Sequence, residues 1–383
     1  MSARTVRSLL LAGTILAIPS IARAQGTLST QGFGYPTSGM SARSLGTGGA
    51  ITEFDPLSAT NPAAIPSIGG GALYVQAEPE FRQLEVAAGT ENARIARHPL
   101  ATVAFPFRAN VMAALTLSNL LDRSFETNER RVEMVGNEAL QSTNFFKSDG
   151  AIGDVRLAVA WTPASWIRLG VGGHAITGDN RLRSTQQFDD SARFESIIDT
   201  STVTYVGTAI SAGATLFYRN TVGLSGSYRK GGAMSVKHGD TTLAKANVPD
   251  RMSFSLAFIG IRGTTIAART SKETWTNMRG LGSPTLPISD DWDTSVGADV
   301  LGPRFGQRAI QVRAGARWRT LPFGLANSEV TEKSASFGLG TLFARGRIAL
   351  DVAGIRALRE PVSSAVDLSE SAWTISAGLT IRP

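Results

Sequence analysis

Apolar and polar side chains alternate with a period of two along most of this 383-residue chain, and no other feature constrains the fold as strongly. Within 309–319 every second residue is apolar: Ile310, Val312, Ala314, Ala316 and Trp318. The residues between them are polar or glycine: Gln311, Arg313, Gly315, Arg317 and Arg319. Since successive side chains of a strand point to opposite faces, the segment predicts a strand with one apolar and one hydrophilic face.

The same alternation recurs in fourteen stretches, which is the even number typical of bacterial single-chain membrane barrels. Each stretch reaches the roughly 9–11 residues that a tilted strand needs to cross a bilayer. A soluble β-sandwich or propeller is the alternative, but the polar face is rich in Gly, Ser, Thr and Arg. We therefore predict an all-β, transmembrane antiparallel β-barrel over residues 71–383. Its strands are expected at 71–88, 94–107, 110–134, 145–162, 166–188, 201–218, 221–238, 241–260, 262–277, 292–302, 307–320, 329–344, 346–359 and 370–382.

Two kinds of connection separate these stretches. Short ones are expected at Pro163-Ala164-Ser165, Arg219-Asn220 and Ala344-Arg345-Gly346, where Pro, Asn and Gly have turn roles. Longer polar ones are expected at 188–200 and 277–291. Short turns on one rim and long loops on the other are the outer-membrane pattern. Six tryptophans near strand ends suit an interfacial girdle: Trp161, Trp166, Trp275, Trp292, Trp318 and Trp373.

The first residues predict export. Arg4 and Arg7 precede an apolar stretch from Leu9 to Ile21, and Ala22-Arg23-Ala24 fits a cleavage site of small residues. We expect residues 1–24 to be a cleaved signal peptide, which with the barrel predicts the bacterial outer membrane as the location. No apolar run of eighteen or more residues follows, so a membrane-crossing helix is not expected.

The net charge and the reactive residues of the chain exclude several classes of function. The formal charge of +7 falls to +4 without the three arginines of the signal peptide, and basic residues do not cluster as in a nucleic-acid-binding protein. With no cysteine, no thiolate site forms. His98, His174 and His238 lack metal-ligand spacing, and neither a G-x-S-x-G elbow nor a P-loop occurs. The chain is therefore expected to have no enzyme activity, no metal and no cofactor.

Residues 25–70 do not alternate, and their composition would leave them disordered outside a folded unit. We expect them to form a plug inside the barrel. They contain the stretch Gly39 to Ala50, then Asp55, then Asn61-Pro62-Ala63. This order resembles the plug of the FadL-type outer-membrane transporters, which carries a small-residue stretch, an acidic turn and an N-P-A motif. The resemblance implies that a plug motif is formed by Gly49, Ala50, Asp55, Asn61, Pro62 and Ala63.

Charged and polar residues on the predicted inner face are candidates for lining the lumen: Arg156, Arg168, His174, Arg313, Arg317 and Asp351. They either contact a substrate or hold the plug, since unpaired buried charge is costly. Glu53 and Asp55 are the candidate partners within the plug. Glycines such as those in Gly170 to Gly173 either kink the strand or allow close packing under the plug.

The resemblance implies passive uptake of a small hydrophobic molecule, of the fatty acid or hydrocarbon class, through plug movement and lateral release. The alternative is a non-transporting barrel that binds or anchors exported protein partners. The expected partners are outer-membrane lipid, lipopolysaccharide, the barrel-assembly machinery and the small hydrophobic ligand, and no nucleic acid.

Overall fold

The computed structural model describes residues 24–25, 30, 33–86, 89–135, 138–281, 287–305, 308–325, 328–362 and 369–383. The predicted signal peptide lies outside these residues, apart from Ala24. The described residues are mainly strands: β1 Ala24–Gln25, β2 Tyr35–Pro36, β3 Ala72–Val86, β4 Gly89–Arg108, β5 Val111–Asp122, β6 Phe125–Val135, β7 Glu138–Ala164, β8 Ile167–Phe188, β9 Ile197–Tyr218, β10 Val222–His238, β11 Thr241–Asn247, β12 Arg251–Phe258, β13 Thr264–Glu273, β14 Asp291–Phe305, β15 Arg308–Leu325, β16 Ser328–Phe343, β17 Ile348–Pro361 and β18 Ser369–Ile381.

Strands β3 to β18 form a closed antiparallel barrel. Apart from the pairs β5/β6 and β11/β12, each strand pairs with the next one in the chain, and β18 pairs back onto β3, which closes the ring. Two barrel strands are interrupted: β5 and β6 both pair with β7, and β11 and β12 both pair with β10. Counting each interrupted strand once gives the fourteen strands predicted from alternation.

The alternation separates the inside of the barrel from the outside. In β15, Arg313, Arg317 and Arg319 point inward and are buried, whereas Trp318 points outward and is 47% exposed. In β18, Ser376 is buried while Trp373 is exposed. An exposed apolar face and a buried charged face invert the arrangement of a soluble sandwich, in which apolar rows would pack between two sheets. The predicted orientation of the two faces is confirmed.

The two rims of the barrel differ in their connections. One rim, called here the short-turn rim, carries tight turns such as Arg219-Asn220 and Ala344-Arg345-Gly346, which adopt positive φ as hairpin turns require. The turn expected at 163–165 lies at 165–166, because β7 extends to Ala164. The opposite loop rim carries the longer connections 189–196 and 274–290.

Short helices occur beside the barrel strands. They are the α-helix α1 (Ala42–Leu45) and the 3₁₀ helices η1 (Pro62–Ile68), η2 (Trp275–Leu281) and η3 (Ala344–Gly346). Among the described residues, no helix is both long and apolar enough to span a membrane. Trp275 on η2 is fully buried, so the expectation that it belongs to an outer girdle is wrong.

Candidate functional site

Residues 33–71, called here the inner segment, lie within the ring of strands. Their contacts reach inward-facing residues around the barrel: Ser225 on β10, Arg251 on β12, Asp299 on β14, Ser336 on β16 and Arg156 on β7. A segment touching strands on all sides occupies the lumen. Most of its side chains are buried, including polar ones.

Glycines in the wall allow the inner segment to approach the strands closely. A Cβ atom on Gly315 would lie 2.1 Å from the backbone oxygen of Thr47, and one on Gly297 would lie 2.2 Å from the same oxygen. On the opposite wall, a Cβ on Gly170 would lie 2.5 Å from the backbone of Ala63. Backbone packs against backbone at these points, which only glycine permits. For Gly170, close packing is therefore the observed role.

The Asn61-Pro62-Ala63 motif starts η1 and fastens it to the wall. The Asn61 side chain caps the helix by accepting a hydrogen bond from the Ala63 N–H at 2.9 Å. Its amide group donates to the Glu53 carbonyl and to Ser225 Oγ, both at 2.8 Å. Pro62 occupies the first helical position, where its missing N–H costs nothing. One side chain thus joins the helix, the rest of the inner segment and β10.

The other predicted motif residues hold the shape of the inner segment. Gly49 has a φ of +88°, in the left-handed region that favours glycine. Ala50 is fully buried, and its carbonyl accepts a hydrogen bond from Ser255 of β12 at 3.0 Å. The Asp55 carboxylate accepts hydrogen bonds from Ser41 and Ser58, at 2.5 and 2.6 Å. Asp55 therefore fixes a turn through hydroxyl groups.

The predicted lumen arginines contact the inner segment rather than one common pocket. Arg156 is buried on β7 and donates to the Ala59 carbonyl at 2.8 Å. Arg168 lies near the short-turn rim and donates to Ser67 Oγ at 2.5 Å. Arg317 donates to Ser38 Oγ at 2.7 Å. These contacts agree with the interpretation in which lumen charges hold the inner segment.

Acidic residues balance the remaining lumen charges. Arg313 pairs with Asp351 at 2.6 Å and with Asp299 at 3.2 Å. The fully buried carboxylate of Glu53 lies 3.5 Å from Arg251, so the predicted plug acid does find a cation on the wall. Burying these charges is tolerable only because each has a partner of opposite sign.

Tyr35 of β2 is enclosed by four arginines that sequence reasoning did not single out as a group. The guanidinium carbons of Arg82, Arg97, Arg319 and Arg359 lie 4.7–5.2 Å from the centre of its ring. Its hydroxyl donates to Glu332 at 2.9 Å and accepts from Arg359 at 3.0 Å. Burial raises the pKa of this phenol, which therefore keeps its proton.

Four carboxylates pair with the same four arginines. The group of charged residues around Tyr35, called here the tyrosine cage, therefore has equal numbers of positive and negative charges among the described residues. The carboxylates are Glu80, Asp122, Glu332 and Glu370. The signal for this cage was present in the alternation, because Glu80 and Arg82 share the inner face of β3 and Arg359 has the same orientation on β17. What the sequence could not show is that one tyrosine of the inner segment lies at its centre.

A second part of the interior is apolar and was not predicted. Its buried residues lie on β5, β7 to β10 and β15, between β11 and β12, on the 274–290 loop and on the inner segment: Phe33, Leu120, Leu121, Ile152, Ile176, Val203, Tyr205, Ala209, Met234, Val236, Val248, Trp275, Met278, Ile288 and Phe323. The rings of Phe33 and Phe323 are 4.5 Å apart. Smaller apolar clusters occur elsewhere in the interior, and this larger apolar sector is a place where a hydrophobic molecule would be favoured over water.

The wall is interrupted where β5 ends. Residues 100–108 of β4 pair with β5, but in the described part of the chain nothing pairs with 89–99 on that side. The end of β5 instead pairs with β2 of the inner segment, through Asp122 with Tyr35 and Leu121 with Pro36. Beyond the break β6 pairs with β7, and on its free edge with the two residues of β1. In the loop-side half of the wall, no pairing joins β4 to β6 among the described residues, and the two residues of β1 lie in the gap between them, in contact with both.

A cavity of about 300 Å³ opens at this gap. Its lining combines apolar and charged residues of β3, β4, β6 and β7: Arg82, Ala93, Arg94, Ile95, Ala96, Ser124, Phe125, Glu126, Lys147, Ser148 and Asp149. Arg82 belongs to the tyrosine cage. Arg123, at the break itself, stacks over Phe33 and Tyr205 of the apolar sector at 4.7 and 5.6 Å. The gap thus adjoins both parts of the interior.

His174 joins three neighbouring strands. Its Nδ1 lies 2.8 Å from the Asp154 carboxylate and its Nε2 lies 2.8 Å from Ser211 Oγ. A serine, a histidine and an aspartate in this order have the connectivity of a hydrolytic triad. Yet Ser211 is only 6% exposed, and the cavity at the gap is lined by none of the three. The geometry accounts for a buried polar network that connects β7, β8 and β9.

No protein-family model matches the sequence, and no curated protein matches it. Solved structures do. A FadL homologue of Pseudomonas aeruginosa aligns with a TM-score of 0.65 and 12% identity, over 91% of this chain and 99% of that one. The Pseudomonas putida toluene transporter TodX aligns with a TM-score of 0.57 and 13% identity, over 90% and 98%. The monoaromatic hydrocarbon channel CymD gives 0.55 and 13%, over 90% and 98%. This likeness shows a FadL-type fold.

Proposed function

We propose that the protein is an outer-membrane channel for passive uptake of small hydrophobic molecules of the fatty acid or hydrocarbon class. The observation that carries the proposal is the apolar sector inside a barrel whose inner face carries many charges, next to a gap in the wall. The structural neighbours are described as FadL homologues and toluene or hydrocarbon channels, which favours the same class and gives no support to an enzyme.

The inner segment is the proposed plug. It fills the lumen, so a straight aqueous route is blocked while it stays in place. A hydrophobic molecule enters from the loop rim, replaces packing in the apolar sector, and leaves through the gap between β4 and β6. Transfer of an apolar solute from that sector to acyl chains avoids water, which lowers the cost of each step. Nothing in this route requires an energy source.

The gap is tested by closing it. The chain has no cysteine, so Ala96→Cys with Ser124→Cys creates a single thiol pair across the cavity. A cleavable thiol-reactive linker should abolish uptake of a fluorescent fatty acid and of toluene by cells, and cleavage of the linker should restore both. The matched control, Val171→Cys with Ala212→Cys, joins strands that are already paired and should leave uptake unchanged.

Two results would contradict the proposal. Full uptake with the gap cross-linked would rule out lateral release. No uptake by the unmodified protein, together with loss of an exported protein when the gene is deleted, would favour the alternative, a barrel that binds exported proteins.

A further inference from the structure

Seven arginines lie along the short-turn rim, and we call them the arginine collar. They are Arg108, Arg219, Arg262, Arg304, Arg345, Arg347 and Arg382. All lie in or directly beside the short turns, and most are exposed. The chain around them, at 66–72, 105–112, 161–168, 217–223, 257–266, 301–305, 342–349 and 378–383, contains neither an acidic residue nor a lysine. The mature chain carries +4 overall, so this rim is far more positive than the molecule.

None of the collar arginines makes a salt bridge with the described residues, in contrast to cations near the loop rim. There, Arg131 pairs with Glu129 at 2.7 Å, and Lys230 pairs with Asp250 at 2.7 Å. On the short-turn rim, Arg347 and Arg382 are cross-strand neighbours, and the Arg382 N–H donates to the Arg347 carbonyl at 2.7 Å. Like charges in opposed positions destabilise a sheet. An external anion would relieve that repulsion.

The collar lies directly beside the lipid-facing apolar surface. Exposed apolar residues directly precede several of its members in the chain: Phe107 before Arg108, Tyr218 before Arg219, Ile261 before Arg262 and Ile381 before Arg382. The Arg219 guanidinium stacks on the Tyr218 ring at 5.1 Å. Aromatic rings with adjacent cations are typical of the level at which headgroups meet hydrocarbon. The collar is therefore at the height of lipid phosphates.

We propose that the arginine collar binds the headgroup phosphates of anionic phospholipids in the leaflet that meets the short-turn rim, the periplasmic leaflet in an outer-membrane barrel. Arginine suits this partner because its planar fork binds phosphate oxygens with two hydrogen bonds. The distribution also favours lipid over a protein partner. Collar residues come from five separate short turns and from the end of β18, as contact with a surrounding leaflet would require, whereas a protein would contact one face.

The test uses the full-length protein in detergent with added phosphatidylglycerol or phosphatidylcholine, and counts bound lipids by native mass spectrometry. We expect at least a tenfold preference for phosphatidylglycerol. A variant with Arg108, Arg219, Arg262, Arg345 and Arg347 changed to Gln should lose that preference. The matched control removes five loop-side cations of the same total charge and should keep it: Arg130, Arg131, Lys147, Arg193 and Lys230, each changed to Gln.

Heat-modifiable migration in gels checks that each variant is a folded barrel. The proposal is overturned if both lipids bind equally, or if the collar variant retains phosphatidylglycerol as well as the unmodified protein does. If inorganic phosphate at the same concentration as the lipid displaced the bound phosphatidylglycerol, the collar would be assigned to a free anion instead. Loss of a co-purifying protein from the collar variant, with lipid binding intact, would assign it to a protein partner.

Discussion

Individual glycines decide how closely the inner segment approaches the wall. Gly315 and Gly297 face the same carbonyl of Thr47, and no side chain fits between these backbones. The sequence shows glycine on the inner face of strands, but a kink and a close contact give the same pattern. Only the position of the opposing backbone distinguishes them, and that position depends on residues far away in the chain. The sequence alone leaves the role of Gly170 undecided for this reason.

Gly315→Ala should destabilise the packed state. The new Cβ would lie 2.1 Å from Thr47 and 2.5 Å from the Gly48 nitrogen, all backbone that cannot rotate away. Overpacking of this kind costs about 1–3 kcal/mol. We expect a lower thermal midpoint in detergent and faster proteolysis of the inner segment. Gly173→Ala is the control, because a Cβ at that position would have no neighbouring atom within 4 Å. If both variants had the same thermal midpoint and the same rate of proteolysis, close packing at Gly315 would be contradicted.

At the scale of elements, alternation predicts the barrel strands and misses two interruptions, at 123–124 beside the gap and at 248–250. The sequence predicts a single strand over 110–134, whereas the structure divides this range into β5 and β6 at Arg123-Ser124. The outward residues are odd-numbered in β5, as with Leu115 and Leu117, and even-numbered in β6, as with Val132 and Met134, so the phase of the alternation changes near the break. The break arises from a choice of hydrogen-bond partner: the end of β5 leaves β4 for the two residues of β2. Such a choice is non-local, and the change of phase does not identify the partner that the strand takes.

Tyr35 should be the residue that holds β2 in this position. Tyr35→Phe keeps the ring among its arginines but removes the hydroxyl that donates to Glu332 and accepts from Arg359. Leaving buried charged partners unsatisfied costs roughly 1–3 kcal/mol. We expect a lower thermal midpoint and a higher rate of hydrophobic uptake. Tyr228→Phe, at an outward position that is 46% exposed, is the control and should change neither.

Over the whole molecule, the interior combines a charged sector around the tyrosine cage with an apolar sector beneath the loop rim. The charged lumen was predictable, because arginines alternate with lipid-facing residues along the late strands. The apolar sector was not, since its members come from several separate regions of the chain and most are single inward residues in otherwise polar rows. Their proximity follows from barrel curvature and register.

Deletion of residues 26–60 tests the inner segment as a plug. It removes partners of Arg251, Arg317 and the arginines around Tyr35, and it empties most of the lumen. Because wall charges would then be solvated by entering water, we expect a barrel with large, steady ionic conductance in planar bilayers and a lower thermal midpoint. The full-length protein should conduct little. Equal conductance of the two proteins would show that residues 26–60 do not obstruct the lumen.

Along 89–99, one side of β4 has no strand partner among the described residues, and this bears on what the proposed exit would pass. Backbone N–H and C=O groups that lack such a partner cannot find one in hydrocarbon. Water would therefore wet this slit, and a departing amphiphile would keep its polar end hydrated there while its tail enters the bilayer. The proposed exit would discriminate by molecular width and tolerate a range of head groups.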